Sequence, residues 1–166
     1  MGDVQITVVD GQPQVLISRE FDAPLDLVVR AHLEPELLVE WWGPRGPAIV
    51  VDRYEVRDGG IWRVIHREPD GTEYAFRGVF HGDPSAAGIV QTFEYEGWPR
   101  QVSLQSMTFE ERDGRTIVRT NSVYLSVEAR DAMVEAGMAR GVEEGSERLD
   151  ELLGRLQGPG LKTRHD

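Results

Sequence analysis

The residues best suited to binding chemistry in this chain are aromatic, and few ionisable groups accompany them. All four tryptophans fall near a predicted helix–sheet junction or strand end. Aromatic and aliphatic side chains line pockets for small apolar molecules, and they also fill ordinary hydrophobic cores, so both interpretations stay open. The residues predicted to line a pocket are Trp41, Trp42, Trp62, Val64, His66, Phe76, Phe80, Phe93, Tyr95, Trp98, Met133, Gly137, Met138, Gly141 and Val142.

His66 is the polar residue best placed to orient a ligand. In a strand, alternate side chains share a face, so His66 lies with Trp62 and Val64. One face of the next predicted strand carries Tyr74, Phe76, Gly78 and Phe80. We expect these two sets to form the concave side of a sheet. The other polar groups within these strands are expected mostly on the solvated convex face, and they are Arg63, Glu73, Arg77 and His81.

No catalytic or metal-binding motif accompanies these residues. No two histidines have metal-ligand spacing, and neither a His-Glu-x-x-His motif nor a Gly-x-Ser-x-Gly elbow occurs. Cysteine is absent, which excludes disulfides, thiolate catalysis and cysteine-ligated metals. The sequence therefore predicts no cofactor, no metal and no catalytic residue, and it leaves open whether the protein is an enzyme.

Length and charge restrict the possible partners. The chain has 166 residues, with 18 Lys plus Arg against 29 Asp plus Glu, and a net charge of -11. Such an acidic chain repels both nucleic-acid backbones and anionic lipid surfaces. No secretion signal or membrane-spanning run is recognisable, so we expect a cytoplasmic protein that is a monomer or a homodimer.

The order of elements follows from the hydrophobic spacing and the turn residues. Residues 4–9 and 14–21 are predicted as strands around a turn, the first being an edge strand or an arm. Ala23-Pro24 and Glu34-Pro35 each begin a short helix, since proline suits the first turn, and the second helix is predicted to include Trp42. Turn residues then recur between 49 and 123 at the spacing of six antiparallel strands.

The stretch from Ser126 to Leu156 is predicted to form one long helix with Ser126 as its N-cap. Gly137, Gly141 and Gly145 stand four residues apart, which puts all three on one stripe of that helix. Glycine inside a helix costs about 1 kcal/mol relative to alanine, so the stripe indicates a spatial requirement. It predicts either close packing against another backbone or part of a cavity wall.

A set of short segments along the chain forms a recognisable pattern. The segments are Phe21-Asp22-Ala23-Pro24, Glu34-Pro35-Glu36-Leu37-Leu38, Glu40-Trp41-Trp42-Gly43-Pro44, Asp58-Gly59-Gly60-Ile61-Trp62-Arg63, Pro69-Asp70-Gly71-Thr72-Glu73-Tyr74, Arg77-Gly78-Val79-Phe80, Phe93-Glu94-Tyr95-Glu96-Gly97-Trp98-Pro99, Gly137-Met138, Gly141 and Gly145-Ser146 with Leu149. Together they resemble bacterial proteins related to the activator of the heat-shock protein 90 ATPase, and the resemblance covers roughly residues 15–156.

The resemblance implies a START-like, helix-grip fold of the SRPBCC superfamily. This is an α+β fold, with a curved antiparallel sheet of about seven strands around a long C-terminal helix and two short helices after the first main strand. The expected domain spans residues 1–157. Gly158-Pro159-Gly160 is predicted to end the helix, and residues 158–166 are predicted to form a disordered tail.

The same resemblance implies binding of a small hydrophobic molecule, lipid-like or aromatic, in a cavity between the last helix and the sheet. Val142 stands where family members often have tryptophan, which could enlarge or reshape that pocket. One alternative is a co-chaperone domain that acts on a heat-shock chaperone ATPase. An exposed apolar patch around Trp41 and Trp42 would favour it. A further alternative is a polyketide cyclase-like enzyme that uses His66 or Glu73.

Overall fold

The main architecture is a single antiparallel sheet with helices on its inner face. The computed structural model describes residues 4–163. The strands are β1 Gln5–Val8, β2 Gln14–Phe21, β3 Ala48–Tyr54, β4 Ile61–Arg67, β5 Glu73–Val79, β6 Ile89–Tyr95, β7 Ser103–Arg112 and β8 Arg115–Val123. The helices are α1 Leu25–Leu33, α2 Pro35–Leu38, α3 Val127–Glu135 and α4 Met138–Thr163. The predicted α+β arrangement of a sheet around a C-terminal helix is confirmed.

The sheet has eight strands rather than about seven, in the order β1-β2-β8-β7-β6-β5-β4-β3. The additional strand is β1, which pairs with β2 and is therefore an edge strand rather than an arm. The other edge is β3, whose pairing with β4 shifts register between Val51 and Arg53. The six strands predicted between residues 49 and 123 correspond to β3–β8.

The two short helices follow β2 almost without a loop. Pro24 is the N-cap of α1, and Pro35 opens α2 at its first helical position. The buried side chains of α1 include Val28 and Ala31, which pack into the core. The second helix ends at Leu38, earlier than predicted, and Trp42 belongs to the turn that follows.

The C-terminal stretch forms two helices, so the prediction of one helix from Ser126 to Leu156 is wrong. Ser126 does cap α3, since its hydroxyl oxygen accepts from the amide of Ala129 at 3.0 Å. The break falls at Gly137, where φ is +98°. A glycine with positive φ directly after a helix is the commonest way for a helix to end, because other residues resist that conformation.

The far end of α4 also departs from regular geometry at a glycine. Gly158 has φ +62° and ψ +162°, outside the helical region, at the point where the sequence predicts the helix to end. The tail predicted for residues 158–166 stays a prediction, and its last three residues lie outside the described part of the chain.

The core consists of two clusters on the inner face of the sheet. The buried residues of the first are Phe21, Ala23, Val28, Ala31, Val118, Leu149, Leu152 and Leu153, and those of the second are Leu38, Trp62, Val64, Phe80 and Ile89. Helix α4 contributes to these clusters only through residues 149–153, within the part of the chain that the structure describes. Its N-terminal half, residues 138–148, joins neither cluster of the described chain and packs against the turn at residues 41–44.

Candidate functional site

Four aromatic rings on three neighbouring strands form a continuous layer on the inner face of the sheet. This aromatic layer consists of Trp62 and His66 from β4, Phe76 from β5 and Phe93 from β6. The ring centroids of His66 and Phe76 are 5.0 Å apart, those of Phe76 and Phe93 5.5 Å, and those of Phe93 and Trp62 5.7 Å. Strand alternation brings these side chains to one face, as the sequence predicts for Trp62, His66 and Phe76.

Trp42 lies against this layer from the turn after α2. Its ring is edge-on to His66 at 5.0 Å and to Phe76 at 5.5 Å. It also approaches Trp62 at 6.3 Å. The next residue, Gly43, has φ +80°, and a Cβ atom there would lie 2.6 Å from Cε1 of His66. Glycine at position 43 therefore lets the backbone pass directly over the imidazole ring.

The backbone of residues 42–44 is fastened to the N-terminal half of α4. The Arg148 Nη1 group donates to the carbonyl oxygens of Gly43 at 3.2 Å and Pro44 at 3.0 Å. A Cβ atom at Gly145 would lie 3.4 Å from the Gly43 nitrogen, so this glycine permits close backbone packing. The close-packing interpretation of the glycine stripe therefore holds at Gly145.

The other two stripe glycines have more open surroundings. A Cβ atom at Gly141 would lie 3.8 Å from the Pro44 side chain, which is ordinary contact, and one at Gly137 would meet no atom of the described residues within 4 Å. Gly137 also precedes α4, so its role is to end α3 rather than to line a helix face.

Two buried nitrogen atoms in the aromatic layer have no hydrogen-bond partner among residues 4–163. They are Nε1 of Trp62 and Nε2 of His66, and these side chains are 2% and 8% exposed. A buried polar atom without a partner costs about 1–3 kcal/mol. Such atoms are rare in folded proteins and call for a specific explanation.

His66 is neutral at physiological pH. Burial lowers its pKa to about 4, and the nearby positive charge of Arg148 acts in the same direction. A neutral imidazole nitrogen either donates or accepts a hydrogen bond, depending on the tautomer, whereas the indole N–H of Trp62 only donates.

A pair of amide side chains extends the inner face beyond the aromatic layer. The Gln91 Nε2 group donates to Oε1 of Gln105 at 3.0 Å, between β6 and β7. Gln91 lies two residues before Phe93, and Gln105 is opposite Ser122 on β8. Sequence reasoning did not select this amide pair, although alternation from Phe93 places Gln91 on the inner face.

The remaining predicted site residues occupy different surroundings. Val64 and Phe80 are fully buried core residues. Tyr95 extends the layer, with its ring 5.3 Å from Phe76. Trp98 is exposed in the turn after β6, and no ring contact joins it to the aromatic layer within the described residues.

The predicted residues from the C-terminal helices are all partly buried. Met133 belongs to α3, while Met138 and Val142 belong to the N-terminal half of α4. The hydroxyl of Tyr124 donates to the Met138 sulfur at 3.5 Å, which links this end of α4 to the segment after β8.

The charged residues of the central strands lie on the outer face and pair with one another. Arg63 contacts Glu96 at 2.7 Å, and Arg77 contacts Glu94 at 3.2 Å. Glu73 pairs with Arg67 at 2.7 Å. Glu73 and His66 are therefore on opposite faces of the sheet, so they do not form a joint acid–base pair.

A second aromatic cluster, which we call the partnered cluster, contains His32, Trp41 and Phe109. The His32 ring lies 4.9 Å from Trp41 and 5.3 Å from Phe109. Nδ1 of His32 hydrogen-bonds the Val28 carbonyl at 2.8 Å, and the Trp41 indole donates to the Ala31 carbonyl at 2.9 Å. Burial lowers the pKa of His32 to about 4. Trp41 thus belongs to the core, whereas its neighbour in sequence reaches the aromatic layer.

An open concavity of about 320 Å³ lies on the outer face of the sheet, whereas the sequence predicts a cavity between the helix and the sheet. Strands β1, β2, β7 and β8 line it. In residues 4–163 no helix is long and apolar enough to cross a bilayer, and no three acidic or histidine side chains are grouped as metal ligands.

The fold and the inner-face site define a helix-grip domain. The profile of the family described as Activator of Hsp90 ATPase homolog 1-like protein matches residues 22–154, so this chain belongs to that family. No curated protein matches the chain.

Solved structures show the same fold. Protein Ms6760 from Mycobacterium smegmatis is 24% identical, with a TM-score of 0.82 over 91% of this chain and 97% of that one. A protein from Rhodobacter sphaeroides is also 24% identical, with a TM-score of 0.84 over 92% and 98%. CalU16 from Micromonospora echinospora is 17% identical, with a TM-score of 0.60 over 96% and 87%.

Proposed function

We propose that this protein binds a small, largely aromatic molecule between the N-terminal half of α4 and the inner face of the sheet. The observation that carries the proposal is the pair of buried, unpartnered nitrogen atoms on Trp62 and His66. A ligand that supplies their missing hydrogen bonds would recover free energy that the unliganded fold gives up.

The surroundings of these nitrogens indicate the chemistry of the ligand. The indole N–H of Trp62 needs an acceptor, and neutral His66 takes either an acceptor or a donor. A carbonyl or hydroxyl oxygen meets these needs, whereas a charged group would lose its hydration among the aromatic rings. Flat rings suit the layer because aromatic pairs prefer the edge-on and tilted geometries already present there.

The amide pair provides a second polar contact for such a ligand. Gln91 lies two strands from Trp62, which corresponds to roughly 10 Å across the sheet. Each amide retains hydrogen-bonding capacity beyond the bond that joins the two. A molecule of two or three fused rings with oxygens at both ends would span this distance.

Space for the ligand is supported by the burial of the inner face. Phe76, Phe93, Gln91 and Gln105 face the helix side of the sheet, yet all four remain partly accessible. Residues 138–148 of α4 add no residue to either core cluster of the described chain.

The proposal is tested with 2-naphthol and naphthalene as matched probes in a nitrogen–proton NMR titration. The four tryptophans give four indole N–H signals, of which the Trp62 signal should move downfield with 2-naphthol. One added hydrogen bond to an otherwise unpartnered group should favour 2-naphthol over naphthalene by about tenfold.

Trp62→Phe and His66→Phe should each weaken this preference, while His81→Gln, which changes an exposed histidine, should preserve it. Circular dichroism would establish that all three variants fold. Absence of binding of both probes to the wild-type chain, or an equal preference in all variants, would exclude this site.

The co-chaperone and cyclase-like alternatives have less support. The first needs an exposed apolar patch at Trp41 and Trp42, but Trp41 is hydrogen-bonded within the core and Trp42 packs against the aromatic layer. The second needs partner groups near His66, and Glu73 lies on the other face. Both remain predictions without a specific observation in their favour.

A further inference from the structure

The charged side chains of the outer face are unevenly distributed over the sheet. Ion pairs such as Arg63–Glu96 and Arg77–Glu94 cover the half formed by β3, β4, β5 and the end of β6. The other half, which we call the neutral face, is formed by β1, β2, β8, β7 and the start of β6. Its charged side chains lie on β2, β7 and β8 and are paired with one another. Arg119 and Arg112 each contact Glu110 at 2.7 Å, and Arg115 contacts Glu20 at 3.6 Å.

Four large aliphatic side chains are exposed together on the neutral face. They are Leu16, Val90, Leu104 and Val123, which are 41%, 38%, 49% and 40% exposed. Leu104 is directly opposite Val123 in the β7–β8 ladder, and Val90 is opposite Ser106, two residues from Leu104. These side chains therefore form one contiguous apolar patch rather than isolated exposed residues, and such patches mark interaction surfaces.

A hollow lies beside the patch. The concavity of about 320 Å³ is lined by Leu16, by the charged residue Arg119 and by residues whose side chains carry an amide or a hydroxyl group. These polar side chains are Gln5, Thr7, Ser18, Ser106, Thr108 and Asn121. The neutral face thus combines an apolar ridge at Leu104 and Val123 with an adjoining polar hollow.

We propose that the neutral face is the interface of a two-fold homodimer of this chain. In a two-fold dimer a surface meets itself, so its chemistry must be self-complementary. Amides and hydroxyls meet this condition because each both donates and accepts, and aliphatic side chains meet it by packing together. The ridge of one copy would fill the hollow of the other.

Charge favours a second copy at this face over approach by any other outer surface of the sheet. Each copy carries a net charge of -11, so two copies repel one another in general. The charged side chains of the neutral face are paired with one another, so a second copy meets ion pairs there rather than unpaired like charges. The ridge at Leu104 and Val123 is itself aliphatic, and depletion of charged residues is characteristic of interface centres.

The size of the face fits a weak dimer. Five strands of about seven residues cover roughly 600 Å² in each copy, or about 1,200 Å² for the pair. This value lies at the lower end of specific interfaces, so we expect dissociation in the micromolar range.

The first test measures the mass of the full chain by sedimentation equilibrium between about 1 and 200 μM. The chain of 18.7 kDa should approach twice its mass at the upper end. Leu104→Asp puts a charge at the centre of the interface and should keep the chain monomeric at every concentration. Val56→Asp, a matched change at an exposed aliphatic residue outside the neutral face, should leave the dimer intact.

The second test locates the interface. Because the chain contains no cysteine, a single introduced cysteine can carry a spin label. Labels at Ser106→Cys should give a shorter distance between copies than labels at Arg77→Cys on the charged half. A wild-type chain that is monomeric at every concentration, a dimer that survives Leu104→Asp, or a shorter distance at position 77 overturns the proposal. If the wild-type chain is monomeric at every concentration, the partner at the neutral face would be a different protein.

Discussion

Two consecutive tryptophans, Trp41 and Trp42, belong to two aromatic groups that differ in how their polar nitrogens are hydrogen-bonded. Trp41 joins the partnered cluster, where its indole N–H and the His32 ring both bond to backbone carbonyls of α1. Trp42 joins the aromatic layer, where Trp62 and His66 each keep a buried nitrogen without a protein partner. Both groups are tightly packed, so ring packing alone does not distinguish a structural cluster from a binding surface.

The difference lies in hydrogen bonding and its energetic consequence. A protein under selection for stability alone would partner its buried polar atoms or replace them with apolar ones, since each unpartnered atom costs about 1–3 kcal/mol. Departures of this kind concentrate at functional sites. The partnered cluster therefore stabilises the fold, whereas the aromatic layer is the surface proposed above for binding.

Truncation of the two tryptophans should separate these roles most clearly. Trp41→Ala removes core packing and strands the Ala31 carbonyl, so it should lower the free energy of unfolding by roughly 3–5 kcal/mol. Trp42 is also half-buried, but its truncation breaks no hydrogen bond of this kind, so Trp42→Ala should cost less. Urea unfolding followed by circular dichroism measures both values. Equal losses in the two variants would contradict the distinction.

Acidification should weaken both groups through their histidines. The pKa values of His32 and His66 are about 4 in the folded chain, below the ordinary value of 6.5. The unfolded chain therefore takes up these protons first, so their contribution to stability is complete above about pH 6.5 and is lost as pH falls toward 4. The loss is on the order of 3 kcal/mol for each histidine.

Urea unfolding at about pH 7.5 and pH 4.5 measures this loss. His32→Phe and His66→Phe should each reduce the difference in unfolding free energy between the two pH values. A variant with the same pH dependence as the wild-type chain would show that its histidine does not titrate as described.

Two glycines with positive φ provide a finer test of the aromatic layer. Alanine at Gly43 or Gly46 should cost about 1–2 kcal/mol in backbone strain, because φ is +80° and +113°. Only at Gly43 would the new Cβ also meet the His66 ring, at 2.6 Å. Gly43→Ala should therefore lower 2-naphthol affinity several-fold in the same titration, and Gly46→Ala should not. Similar 2-naphthol affinities in both variants would show that the turn at Gly43 does not contribute to binding at the aromatic layer.

Whether the sequence predicts the position of a residue depends on the kind of pattern in its segment. Strand alternation is local and regular, so it placed Trp62, Val64 and His66 on the inner face correctly. The turn after α2 has no period, and nothing in the sequence distinguishes Trp41 from Trp42. The separation of their environments comes from tertiary packing alone.

The sequence around Gly137 carries two conflicting signals about whether the helix continues. A glycine after Ala136 matches the end of a helix, but the four-residue spacing to Gly141 and Gly145 favoured an uninterrupted one. The amide pair was missed because glutamine is typical of solvated surfaces, and only the pairing of β6 with β7 brings Gln91 and Gln105 together.

The two edge strands of the sheet affect how readily this protein aggregates at high concentration. A sheet that does not close into a barrel exposes unpaired backbone amides and carbonyls, to which a strand of another molecule can add. The β3 edge is interrupted by the register shift between Val51 and Arg53, and both Asp52 and Arg53 are exposed there. The opposite edge, β1, offers only four residues. Neither edge presents a long, regular template, so the chain resists fibril-like growth by strand addition.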